Sequence, residues 1–231
     1  MFDDHLLSLA TGRRRNELKP LIVAFTDALV RHKLAASAGP RPGRANPPHK
    51  FLAAECGVWQ GDSLLLCAAL AQALEVPVEI FGLDTFSGLP ALGQRDLEDA
   101  PEQAPYRFKR WFADTTYEQV QAKLHEAGAS NTVHLVEGLF AETLPTLPEG
   151  PYSFVNVDCD LYDGHIECLT HFVPRMARGG IVYFDDYHSI DFPMARSAID
   201  DFLAKDTELE LIHVRFGPEG ANQTKAMIVI P

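Results

Sequence analysis

Residues 50–74 read KFLAAECGVWQGDSLLLCAALAQAL, and their reading decides the fold. The strand-like run KFLAAECG leaves through two glycines, Gly57 and Gly61, into a helix, 62–74, that is apolar almost all round. A helix without a polar face is covered on most sides. The glycines allow a tight turn and close approach to a ligand, and the helix start behind them offers free N–H groups. A dinucleotide site would prefer G-x-G-x-x-G, but Trp59 stands at its middle glycine. The loop therefore suits a ligand without a diphosphate; the plainer alternative is an ordinary strand-to-helix turn.

Downstream the same alternation continues. PVEIFGLD (77–84), NTVHLVEG (131–138), YSFVNVDCD (152–160) and GGIVYFDD (179–186) read as strands. Helices are expected at 116–127, opened by a Thr115-x-x-Glu118 capping box, at 163–176 and at 192–204. LELIHVRF and TKAMIVIP, joined by a Gly-containing loop, end the chain as an expected antiparallel pair. Upstream, helical periodicity over 15–36 is interrupted by Pro20, and SAGPRPGRANPPH (37–49) reads as a linker. The chain thus divides into an N-terminal helical arm with linker, 1–49, and a main domain, 50–231. Within that domain the polar segment 87–113 carries Tyr106, Phe108, Trp111 and Phe112, which either close over a ligand as a lid or pin the segment to the body. Alternating strands and helices predict an α/β, Rossmann-like fold with a mostly parallel sheet and helices on both faces. Ligands of such sheets sit outside the carboxyl ends of the strands.

Charge narrows the partners. With 20 basic and 32 acidic side chains the net charge is −12, which repels nucleic-acid backbones and anionic membranes. The basic run Arg13-Arg14-Arg15, beside Glu17, reads as a solvated helix start rather than a phosphate grip. Cys56, Cys67, Cys159 and Cys168 form no C-x-x-C pair and are expected as buried thiols in a cytoplasmic protein. No apolar run reaches the roughly 20 residues of a bilayer span, and no signal-peptide pattern opens the chain.

The acids are the unusual feature. Glu55, Asp84, Glu137, Asp158, Asp160, Asp185 and Asp186 all fall at or near expected strand ends, so one rim gathers them. Asp84 stands where an acid accepts ribose hydroxyls, although alone it could equally cap a turn. Asp158 and Asp160, two apart, would share one side of a strand. Asp185 and Asp186 come one helical crossover later. Such crowding repels itself unless a cation neutralises it, and hard ions such as Mg²⁺ take oxygen ligands. No thiol or imidazole cluster accompanies the acids, which disfavours zinc. Some of them would cap helices instead, Asp163 and Asp160 first. His188, after Tyr187, is a surface residue or a catalytic candidate.

ECGVWQGDS, FGLDTFSGLP, EGLFAETLP, VDCDLYDGHIECL and RGGIVYFDDY, in this order, resemble the macrocin O-methyltransferase family over residues 50–204. The resemblance implies a seven-stranded class I methyltransferase sheet with an antiparallel member in its last strand pair. It implies S-adenosylmethionine as cofactor, bound by Glu55, Gly57, Val58, Gly61, Ser63, Asp84, Thr85, Gly138, Leu139, Phe140 and Asp158. Asp158, Asp185 and Asp186 match Mg²⁺ ligands, and Asp160 matches an acid proposed as general base, with His188 the second candidate. The expected acceptor is a small-molecule hydroxyl, such as a vicinal diol of a sugar or natural product, and a homodimer or higher homo-oligomer is expected. Leu161 stands where catechol-type relatives carry a lysine, which excludes a base of that kind. Two other readings are a D-x-D glycosyltransferase using a sugar diphosphate, and a non-catalytic nucleoside-binding protein.

Overall fold

The computed structural model describes residues 18–37, 50–216 and 223–231. The elements run α1 (Lys19–Ser37), β1 (Phe51–Cys56), α2 (Asp62–Ala73), β2 (Val78–Asp84), α3 (Gln94–Asp99), α4 (Tyr117–Glu126) and β3 (Val133–Glu137). They continue α5 (Phe140–Thr143), β4 (Tyr152–Val157), α6 (Tyr162–Phe172), β5 (Met176–Phe184), α7 (Pro193–Leu203), β6 (Leu211–Phe216) and β7 (Gln223–Val229).

Residue parity along the strands sorts the core into two layers. Phe51 and Ala53 of β1, with Ile181 and Tyr183 of β5, join a cluster with α1, α2 and α4. Ala54 and Cys56, with Val182 and Phe184, join a second cluster with α6 and α7. Helices therefore cover both faces of one seven-stranded sheet, ordered β3-β2-β1-β4-β5-β7-β6. Strands β1 to β5 pair in parallel, and β7 runs antiparallel to both β5 and β6. The sequence order reverses between β1 and β4, so the ligand crevice of this topology opens there.

Several local expectations shift. Pro20 does not interrupt a helix; it lies in the first turn of α1, where a missing N–H would have had no partner. Phe25 of α1 meets Phe51 and Phe154 edge-on at 5.6 and 5.1 Å, so the arm's helix shares the domain's core. The capping box of α4 belongs to Thr116 and Gln119, one residue beyond the Thr115–Glu118 pair. Asp163 sits in the first turn of α6 but does not cap it, since Asp96 accepts the Tyr162 amide at 2.7 Å. Arg13–Arg15 and linker residues 38–49 lie outside the described residues. All four cysteines are buried and free, and no helix among the described residues is long and apolar enough to cross a membrane.

Two features fix the β1–β4 junction. Gly57 adopts φ +95°, and a Cβ there would stand 1.7 Å from the carbonyl oxygen of Asp158. Beneath it, Glu55 is buried in register with Asn156 of β4, whose Nδ2 donates to Oε1 at 2.7 Å. Burial raises the Glu55 pKa from 4.5 to about 7, with Asp185 and Asp84 adding to the rise against hydrogen bonds from Ser63 and Asn156. A carboxyl whose native pKa is raised holds its proton longer in the folded state, so stability falls as pH climbs through that window.

Gly57→Ala should therefore lose about 1–3 kcal/mol from the left-handed backbone alone, with more from the clash, as read by urea unfolding. Glu55→Gln should lack the wild-type loss of stability between pH 4.5 and about 7. At about 1.4 kcal/mol per pH unit, that is a relative gain of up to ~3 kcal/mol at pH 8. Parallel pH profiles for the two proteins would contradict the buried, proton-holding Glu55.

Candidate active site

The parallel strands β1 to β5 end on one edge, and the turns beyond those ends line one cavity of about 560 Å³. Gly57 and Val58 come after β1, Asp84 and Thr85 close β2, and Gly138 to Phe140 come after β3; Asp158 and Asp160 lie beyond β4, and Asp185 and Asp186 beyond β5. The strands stop earlier than the sequence suggested, β4 at Val157 and β5 at Phe184, so both acid pairs sit in the turns. Asp158 and Asp160 therefore share the cavity through a turn, not through strand alternation: Asp160 takes φ +62°, a conformation that favours glycine.

The loop after β1 is braced from β2. Asp84 Oδ2 accepts the amides of Val58 and Trp59 at 2.8 and 2.9 Å, and Oδ1 accepts that of Phe86 at 2.8 Å. Both oxygens thus hold backbone while Asp84 also faces the cavity, where a carboxylate keeps lone-pair capacity for a hydroxyl donor. Thr85 lines the cavity with its hydroxyl donated to the Gly88 carbonyl at 2.7 Å. Ser63 lines it from α2. Gly61, at φ +75°, starts α2 just behind the lining, and Glu55 lies beneath it.

The acidic centre is compact. One ligand atom from each of Asp158, Asp185 and Asp186 lies within 4.8 Å of the others. Withdrawal from water, then Asp185 and Asp186, hold Asp158 well above the usual carboxylate range. Burial, then Asp185, raises Asp186 to about 7. Burial, then Asp186 and Asp158, push Asp160 well up, and its amide donates to Asp186 Oδ2 at 3.2 Å. Three converging carboxylates with no thiol or imidazole among them fit a hard, oxygen-seeking divalent cation. The space, the close-approaching Gly57 loop and the acid-rich wall fit a nucleoside carrying a cationic group. So does the buried Oδ1 of Asn156, which has no partner and sits in a residue lining the cavity.

His188 is not brought into this centre. It is exposed and pairs with His213 at 3.1 Å, while its loop neighbours Ser189, Asp191 and Phe192 line the cavity. Segment 87–113 contains α3 and a 3₁₀ turn; Phe108 is exposed, while Tyr106, Trp111 and Phe112 pack against the body. Tyr106 stacks on Phe192 at 4.7 Å, Trp111 meets both edge-on, and Phe112 meets Trp59 at 5.6 Å.

Sequence reasoning missed Asn156, Asp96 and Lys225. Asn156 was visible as the one amide inside the apolar run YSFVNV. Asp96 was one charge among many in a polar segment. Lys225 reaches the acids only because β7 runs antiparallel to β5: Phe184 pairs with Ala226, which sets Lys225 beside Asp185. Its Nζ donates to Asp185 Oδ2 at 2.5 Å and to the Asp185 carbonyl at 2.8 Å.

Known proteins resemble this chain in sequence and in fold. The chain is 30% identical over 150 residues to the 8-demethyl-8-(2,3-dimethoxy-alpha-L-rhamnosyl)-tetracenomycin-C 4'-O-methyltransferase of Streptomyces olivaceus, covering 64% of this chain and 56% of that protein. It is 29% identical over 163 residues to the demethyldecarbamoylnovobiocin O-methyltransferase of Streptomyces niveus, covering 69% and 61%. The chain thus spans about three fifths of the length of these curated relatives. The solved structure of the O-methyltransferase NovP superposes with a TM-score of 0.69 at 22% identity, over 94% of this chain and 80% of that one, a likeness of fold. The model of the macrocin-O-methyltransferase (TylF) family matches residues 50–214, and the chain belongs to that family.

Proposed function

We propose that this protein transfers a methyl group from S-adenosylmethionine to a hydroxyl of a sugar-bearing or other small natural product, with a divalent cation held by Asp158, Asp185 and Asp186. The observation that carries the reading is the convergence of those three carboxylates in the same cavity as the Gly57 loop. The curated relatives, each named for O-methyl transfer, support the chemistry.

When bound, the cation would supply Lewis acidity toward the acceptor hydroxyl and S-adenosylmethionine the methyl group. The chain's own residues supply placement, which for an in-line displacement can account for ~7–11 kcal/mol of the barrier. Gly57, Val58 and Ser63 would line the methionine end, Asp84 and Thr85 the ribose, and Gly138, Leu139 and Phe140 the adenine. Asp160 faces the same space and is held by Asp186. Its carboxylate oxygens would take the acceptor's proton. Trp59, Trp111, Phe112 and Phe192 give the cavity an aromatic lining of the kind that suits the C–H face of a sugar. A sugar diphosphate finds little to hold it, since Lys225 is the one cationic side chain among the described residues of the lining and is already paired with Asp185.

Calorimetric titration with S-adenosylhomocysteine in Mg²⁺ should give micromolar binding; no binding would remove the methyl-donor reading. In assays against rhamnosylated and other glycosylated acceptors, EDTA or Asp158→Asn should lower turnover by about 10²-fold or more. Full turnover in EDTA would remove the cation from the reaction.

A further inference from the structure

The acidic centre contains a cation of its own. Lys225 enters from β7, its side chain only 17% exposed, and holds Asp185 at two points, side chain and main chain. Asp185 is also one of the three converging carboxylates, so one donor of the set is shared with a fixed positive charge. The sheet brings the pair together, because the β5–β7 register ends at Phe184 and Ala226, one residue short of Asp185 and Lys225.

Charges brought together away from water interact strongly. An ammonium bound to Asp185 therefore acts in two opposite ways. It neutralises part of the mutual repulsion of Asp158, Asp160, Asp185 and Asp186 when no other cation is present. It also repels a divalent ion held by the same group of acids and withdraws one oxygen of Asp185 from that ion.

We propose that Lys225 is a resident counter-cation that sets the divalent-ion affinity of this centre: it holds the acids together without the ion and keeps the ion's binding weak and reversible. The inference rests on the cation site proposed above and makes Lys225 a positioning residue, acting through Asp185.

The test is Mn²⁺ binding, followed by electron paramagnetic resonance of the free ion, in wild type, Lys225→Met and Lys225→Gln, together with melting temperatures in EDTA and in Mn²⁺. Methionine removes charge and hydrogen bonds alike, whereas glutamine keeps an amide donor for Asp185. Glutamine therefore carries the test if the methionine variant fails to fold. Both variants should bind Mn²⁺ at least tenfold more tightly than wild type, melt lower in EDTA, and gain more from Mn²⁺. A merely structural lysine would lower the melting temperature in both conditions and leave the affinity where it was, which would overturn the proposal. Equal or weaker Mn²⁺ binding in the variants beside a binding wild type defeats the counter-cation alone; absence of binding in all three proteins defeats the cation site and this proposal with it.

Discussion

The β1–β4 junction is the point on which the site depends. There the backbone of Gly57 passes so near the Asp158 carbonyl that no side chain fits between them. The amide of Asp158 donates to Cys56 at 2.9 Å, and that of Gly57 to Leu83 at 2.9 Å, so three strand ends are tied within one step of each other. This closeness puts the Gly57 loop and the first of the three converging acids within the same few ångströms. The rest of the site is arranged around that contact: the brace from Asp84, the turn at Asp160, the pair beyond β5.

Concentrating negative charge in a protein interior is unfavourable, and the fold offsets it by several separate means. Backbone amides are directed at carboxylates: three at Asp84, two at Asp96, one at Asp186. Raised proton affinity lets Asp158, Asp160 and Asp186 share their burden with solvent protons. Lys225 supplies a full charge from β7, the strand next to β5. Each device is local, but all of them act on a group of acids that only the sheet's carboxyl edge brings together.

Much of this was legible in the sequence, and the failures have identifiable causes. Strand and helix alternation is a local property, so the parallel sheet and the rim of acids could be read from KFLAAECG, PVEIFGLD, YSFVNVDCD and GGIVYFDD. Contacts between residues distant in the chain could not. Lys225 looked like any polar residue at the start of a strand, because pairing with β5 is what gives it a role. The choice between lid and pinned segment depended on Phe192, which stacks against Tyr106 from across the sequence. The placing of His188 was out of reach for a related reason: its neighbours in the loop line the cavity while it turns toward His213. Dihedral preference failed at Asp160, since nothing in D-C-D-L-Y announces a left-handed aspartate.

Helix α1 belongs to two places at once. Phe25 and Leu29 are fully buried in the sheet's core, while Leu18 and Leu21, at and just before its start, line the cavity wall. The helix is therefore a lever whose fulcrum lies in the core and whose tip lies at the cavity wall. A change of side-chain volume beneath Phe25 would tilt that tip without altering any residue in the cavity. In evolutionary terms, a protein built this way can reshape its cavity by repacking its interior, and two chains with identical cavity-wall residues can still enclose different spaces.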